Sequence, residues 1–331
     1  MLKKSLFCGF VALLSFVYLH LLYFSLHPSL PQTGSPPLLY SNQHKTDLRL
    51  LLLAALEKAQ SSIHLVMFGL TEPSILQKLA KKSSEEKVRC SIYYDPSASK
   101  RLKAPSPEVT IHPVFSKGLM HQKILVIDEQ LIFLGSANMT KSSLQMHDNL
   151  VIGMVSPTIA QFLCDRTPEK SGYITATVGA QQVSLYLLPD PRGRALQAIK
   201  QRIADARESL KIAMFTFTHP GLVEAMIDAQ KRGVSVEVSI DKNARYGSSL
   251  EAIQKLEEAG ATIFTSPGSA LMHHKFLMID DTSLILGSAN WTKAAFYKNH
   301  DSFVILSHMT PEQKSTMQTL WKKLQKMRLR S

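Results

Sequence analysis

Cysteine is scarce in this 331-residue chain, limited to Cys8, Cys90 and Cys164, with no C-x-x-C pair. Three thiols cannot build a disulfide framework, and the missing pair argues against a cysteine-held zinc. Glycine (15) and proline (16) are too few for a collagen-like or proline-rich filament. Charged residues make up 19% and hydrophobic ones 45%, which excludes a chain disordered along most of its length. The sequence has no zinc finger or other base-reading module. It also has no carboxylate cluster of the kind that cages a divalent metal. Acidic side chains are the minority, 26 against 38 lysines and arginines, giving a formal net charge of +12. That excess points to anionic partners, whether nucleic acid, anionic lipid or phosphorylated substrates. The length predicts roughly two domains, with ample material for a core.

One long apolar run is present. Residues 5–26 contain no Asp, Glu, Lys or Arg and follow Lys3 and Lys4. A helix of that length, rising about 1.5 Å per residue, crosses a hydrocarbon core. No A-x-A cleavage pattern follows it, so an uncleaved membrane anchor is expected over a secretory signal. The two lysines favour a cytoplasmic amino terminus, which puts the body on the non-cytoplasmic side; the body is secreted if the segment is removed. Cys8 lies near the membrane boundary, as a small apolar side chain or a lipidated one. Residues 1–27 are thus read as anchor or signal. Residues 28–38, with Pro28, Pro31, Pro36 and Pro37, are read as an extended, solvated linker.

The remainder reads as one unit written twice. Helical periodicity over 48–60 is followed by a short apolar strand at 63–68, a helix at 73–82 and a strand at 88–94. The second copy repeats this order at 195–206, 210–215, 220–232 and 234–240. It then adds a helix at 249–259 closed by Gly260, where the first copy has a polar, proline-broken loop at 96–107. Short strands alternating with helices predict an α/β layered fold in each copy. The expected domains are 39–166 and 183–310, with 156–182 containing a surface loop and 311–331 a basic tail.

Each copy contains H-x-K-x-x-x-x-D, then six residues, then G-S-x-N. The first is His121, Lys123, Asp128, Gly135, Ser136 and Asn138; the second is His273, Lys275, Asp280, Gly287, Ser288 and Asn290. In isolation, a histidine beside a strand is usually structural, a lysine a solvated charge, and G-S-x-N a turn. Six specified positions recurring at identical spacing displace that reading. Residues two apart on a strand face the same side, so each histidine projects with its lysine. An imidazole with a pKa of about 6.5 can attack or donate a proton at neutral pH. Ammonium and carboxamide groups can neutralise the non-bridging oxygens of a phosphodiester, so neither metal nor cofactor is called for. Asp128 and Asp280 end their apolar strands, where a turn or supporting role is at least as expected as direct catalysis. His64 and His274 have no counterpart in the other copy and are read as structural or surface residues.

The duplicated motif resembles that of the phospholipase D superfamily, and the resemblance covers about residues 35–308. The run from Gly287 to Asp301 is similar to that of the small branch containing a bacterial endonuclease and mitochondrial cardiolipin hydrolase. Those relatives carry one motif per chain and dimerise. The resemblance therefore implies two phospholipase D-like α/β/α domains related by a pseudo-twofold axis, completing one site within one chain. It implies that one histidine forms a covalent phosphohistidine while the other protonates the leaving alcohol and then activates water. It assigns His121 as nucleophile and His273 as acid/base. Lys123, Lys275, Asn138 and Asn290, helped by Ser136 and Ser288, would hold the phosphate. An acidic residue past G-S-x-N orients a histidine in the family, and Asp148 and Asp301, thirteen and fourteen residues past their glycines, are the candidates here.

Fold and motif do not choose the phosphodiester. An anchor and a basic carboxyl-terminal segment favour phospholipid headgroups. Basic loops such as that holding Lys100, Arg101 and Lys103 would equally attract a nucleic-acid backbone. The leading expectation is a membrane-anchored phospholipid hydrolase. The alternatives are a metal-independent endonuclease, a phosphatidyltransferase of the cardiolipin synthase type, or a non-catalytic binding relic. Paired imidazoles argue against the relic.

Overall fold

The computed structural model describes residues 14–17, 28–100, 102–268 and 270–326. The expected anchor falls almost entirely outside the described residues, as does Cys8. Among the described residues no helix is long and apolar enough to cross a membrane.

In chain order the strands of the first copy are β1 (Leu38–Tyr40), β2 (Ser62–Met67), β3 (Arg89–Tyr94), β4 (Thr110–Pro113), β5 (Lys123–Ile127), β6 (Leu131–Gly135) and β7 (Val151–Val155). Those that follow are β8 (Gly172–Val178), β9 (Gln181–Leu187), β10 (Ser209–Met214), β11 (Ser235–Ile240), β12 (Thr262–Thr265), β13 (Lys275–Ile279), β14 (Ser283–Gly287) and β15 (Ser302–Leu306). Among the described residues they form two sheets, in the orders β1-β7-β6-β5-β2-β3-β4 and β12-β11-β10-β13-β14-β15-β9-β8. In each, helical crossovers make β2-β3 and β10-β11 parallel, while the motif strands run antiparallel.

The central strands are buried on both faces, which explains their unbroken apolar runs. Alternate residues serve two cores. Leu125, Ile127 and Phe133 face outward to the helices Leu48–Glu57 and Pro73–Ser84; Leu277, Ile279 and Ile285 do likewise against Arg194–Ala204, Pro220–Lys231 and Leu250–Glu258. Their neighbours Ile124, Val126 and Ile132 share a single inner core with Phe276, Met278 and Leu284. The layering therefore differs from two separate α/β/α sandwiches. Helices cover the outer faces, and the inner faces pack in a common middle layer.

Three stretches depart from expectation. The presumed linker is packed, not solvated: Pro31 and Pro37 are buried, Tyr40 donates to Ser29 O at 2.7 Å, and Leu38–Tyr40 pairs with β7. The region 156–182 has its expected loop at 167–171 but also holds the helix Pro157–Cys164 and strand β8, which extends the second sheet as a hairpin with β9. The basic tail is largely the helix Pro311–Lys326; Met317, Leu320, Trp321 and Leu324 lie on one face at helical spacing and enter the middle core.

Candidate active site

His121 and His273 each sit two residues before the lysine that begins β5 or β13. Buried carboxylates fix the approach. Asp95 Oδ2 accepts from Met120 N at 2.9 Å and Asp241 Oδ2 from Met272 N at 3.2 Å. The next residues cross to the other copy: His121 N donates to His300 O at 2.8 Å, and His273 N to Asp148 O at 3.0 Å. Both histidines and both lysines are more than nine-tenths buried.

The imidazoles are also held across the repeat boundary. His121 Nδ1 lies 2.8 Å from Asp301 Oδ1, and His273 Nδ1 lies 3.0 Å from Asn149 Oδ1. With each Nδ1–H donating to an oxygen, each Nε2 is left for chemistry. Lys123 Nζ donates to His121 O at 2.7 Å and Lys275 Nζ to His273 O at 2.9 Å. Phe68 and Phe215 back these pairs: Lys123 Nζ is 4.9 Å from the Phe68 ring centre and Lys275 Nζ 5.2 Å from that of Phe215.

The electrostatics are those of a crowded cationic pocket. Burial pushes the Lys123 ammonium down to about 7, with Asp301 and Asp95 partly offsetting it. Lys275 falls well below the ordinary lysine range through burial and then the Lys123 charge. Burial lowers His121, Lys123 lowers it further, and Asp301 opposes both. His273 drops well below its usual value through burial and then Lys275, Lys123 and His121, with a neutral amide behind it. The four groups thus feel one another's charge. Burial alone would raise Asp301, but His121, Lys123 and the Ser288 hydroxyl bring it down. An anion placed among these groups relieves their repulsion, so the pocket suits a phosphate ester. Among the described residues no cluster of three His, Cys, Asp or Glu side chains could hold a metal ion.

Several sequence-assigned residues lie away from the imidazoles. Asp128 and Asp280 follow the strands that the histidines precede, so they lie at the opposite strand ends. Asp128 accepts from the backbone of Gln60, Ser61 and Ser62, and Asp280 from Arg207, Glu208 and Ser209. Asp128 and Glu129, like Asp280 and Asp281, have positive φ, a conformation aspartate tolerates. The Ser136 and Ser288 hydroxyls are buried among protein hydrogen-bond partners. Ser136 Oγ donates to Asn149 Oδ1 at 2.8 Å and accepts from Leu150 N, while Ser288 Oγ donates to Asp301 Oδ1 at 2.7 Å and accepts from Ser302 N. They position the groups that position the imidazoles. Gly135 and Gly287 permit that approach, since a Cβ would fall 2.3 Å from Leu150 O and 2.2 Å from Ser302 O. Asp148 is not a histidine-orienting residue. Its carboxyl, pushed up to about 6 chiefly by burial, interacts with Gln43, and Asn149 takes the role. Asn138 and Asn290 are partly buried beside the motif; Asn138 Oδ1 accepts from Gly69 N at 3.3 Å, and Asn290 Oδ1 is buried without a protein partner. His274 is fully buried and bonded to Gln43; His64 is half-buried against Tyr93.

Sequence reasoning missed Asn149, Asp95, Asp241, Phe68 and Phe215. Counting an equal distance from Gly135 and Gly287 puts Asn149 opposite Asp301, but its carboxamide is not the acidic side chain that the family resemblance implies. Asp95 and Asp241 each follow the second parallel strand of their copy, and the two phenylalanines each follow the first, so aligning the copies would have paired them.

The family profile described as "Cardiolipin synthase, PLD-like domain" matches residues 52–165 and 199–328. Mitochondrial cardiolipin hydrolase of Xenopus laevis is 33% identical over 111 residues, 34% of this chain and 52% of that protein. The chain therefore spans about half the length of that relative. A phospholipase D of Rickettsia bellii is 27% identical over 150 residues, 45% of this chain and 73% of that one. The solved phosphatidylserine synthase of Haemophilus influenzae superposes with a TM-score of 0.69 at 14% identity, covering 92% of this chain and 88% of that one, a likeness of fold. Two matched segments that together exceed half the chain, each carrying one copy of the histidine–lysine motif, place this protein in the cardiolipin synthase, PLD-like domain family of the phospholipase D superfamily.

Proposed function

We propose that the chain is a phosphodiesterase of the phospholipase D type, acting on phospholipid headgroups, with residues 39–166 and 183–310 supplying one site within one chain. The observation that carries this reading is the crossed pair: each imidazole is oriented by a residue of the other copy, Asp301 behind His121 and Asn149 behind His273. Residues 5–26 would anchor this body to a membrane, on its non-cytoplasmic side.

The pair is chemically unequal, and that inequality divides the labour. Attack by His121 Nε2 on phosphorus forms the N–P bond and breaks the P–O bond to the headgroup alcohol. The positive charge that develops on the ring is met by the Asp301 carboxylate. Protonated His273 has only a neutral amide behind it, so it is the stronger acid and gives its Nε2 proton to the leaving oxygen. Neutral His273 then takes a proton from water, whose oxygen attacks phosphorus as the N–P bond breaks. Lys123, Lys275, Asn138 and Asn290 would hold the non-bridging oxygens throughout.

The test is the purified full chain, in EDTA, on mixed phospholipid vesicles and on single-stranded DNA. Phosphatidate release without DNA cleavage is expected; DNA cleavage without phosphatidate release would overturn the lipid reading. His121→Asn and His273→Asn should each abolish turnover. With a good leaving group, His273→Asn should accumulate labelled phosphohistidine and His121→Asn should not. The reverse pattern exchanges the two roles.

A further inference from the structure

We infer that residues 114–120, with the facing segment 297–300, form an interfacial rim that seats the site on an anionic phospholipid surface. Phe115 is the most exposed large apolar side chain among the described residues, at 79%. Leu119 on the same loop is 40% exposed and Tyr297 opposite is 44% exposed. Lys117 and Lys298 are exposed beside them. The two segments are locked together: Leu119 N donates to Asn299 Oδ1 at 3.0 Å and His300 N to Leu119 O at 2.8 Å. A Cβ on Gly118 would fall 2.6 Å from Lys298 O, so the loop is pressed against its neighbour.

The rim is continuous with the chemistry. Its first segment runs directly into His121 and its second into Asp301, the residues that bond to each other at 2.8 Å. Exposed aromatic and aliphatic tips flanked by ammonium groups match the boundary between acyl chains and acidic headgroups, where apolar side chains enter and lysines stay with the phosphates. The second copy has Pro267 where the first has Phe115, so the aromatic tip has no counterpart there. A protein seated this way holds its pocket at headgroup depth. The inference rests on the phospholipid reading for the substrate; the docking is measured separately.

Trp291 and Trp321 are both buried, at 3% exposure, so Phe115→Trp in the full chain places one exposed indole at the tip. Its emission should shift to the blue and be quenched by brominated acyl chains in phosphatidylcholine vesicles containing phosphatidylglycerol. An indole that stays in water with those vesicles, or one quenched by single-stranded DNA instead, overturns the docking surface. Phe115→Asp with Leu119→Asp should lower turnover of vesicle-borne phospholipid at least about tenfold, with bis(p-nitrophenyl) phosphate turnover held within about twofold. Equal loss on both substrates also overturns it. If the indole enters the bilayer while no phosphatidate is released, the docking stands and the phospholipase reading fails.

Discussion

Asp301 and Asn149 occupy equivalent places and differ by one charge, so exchanging them isolates what that charge does. Asp301→Asn keeps the hydrogen-bonding shape behind His121 but removes the countercharge to its ring. Turnover should fall roughly a hundredfold or more while vesicle affinity holds. Asn149→Asp places a carboxylate behind His273, stabilises its imidazolium and raises its pKa. The limb of the pH–rate profile assigned to the acid should move to higher pH, which kcat measured across pH will show. Lys123 carries a second pH signature. It titrates at about 7 in the free protein because burial disfavours its charge. A bound anion favours the charged form, so binding takes up a proton above that pH. Affinity for dimethyl phosphate, a monoanion throughout, should weaken as pH rises past about 7, by at most about tenfold per unit for one proton. Calorimetry in buffers of different ionisation enthalpy would reveal the uptake, and Lys123→Met should reduce it.

Where the motif strands turn back, the conspicuous Asp128 and Asp280 tie the hairpin to the start of the neighbouring strand. Burial would raise these carboxyls, but the backbone N–H groups they accept bring them below the usual range. Their contribution to stability is therefore present above the unfolded value of about 3.9 and is lost as pH falls through the lowered folded value. Asp128→Ala and Asp280→Ala should each cost about 1–2 kcal/mol in urea unfolding, with turnover largely retained. Loss of activity in a folded variant would restore them to the chemistry. The sequence made the central elements readable because strands buried on both faces and helices with one apolar stripe leave distinct patterns. Its failures were physical too. Gly172–Val178 is an edge strand with one exposed face, so it lacks the continuous apolar run that marks the buried strands. The prolines before Leu38 suggested solvent because composition does not reveal that Pro31 and Pro37 are covered by distant segments. The lysines of 311–326 hid an apolar face that appears once the residues are wound at helical pitch.

The whole molecule depends on one inner core shared by both sheets and closed by Met317, Leu320, Trp321 and Leu324. Trp321→Ala should destabilise the protein by about 3–5 kcal/mol and loosen the crossed imidazole contacts with it, read as parallel losses of thermal midpoint and turnover. On the proposed reading, in which one chain supplies both motifs of a site, mixing His121→Asn with His273→Asn protein should restore no activity. Recovery approaching one quarter of wild type would mean that chains exchange halves. That convergence was legible only in part: the repeat announced two imidazoles and two lysines, but sequence spacing says nothing of which copy braces which ring. The crossing itself has a genetic consequence. In a dimer of identical chains, any change behind one histidine is imposed on both, so a carboxylate on one side forces a carboxylate on the other. Two copies written in one chain are free of that constraint, and here one ring is braced by an aspartate and the other by an asparagine.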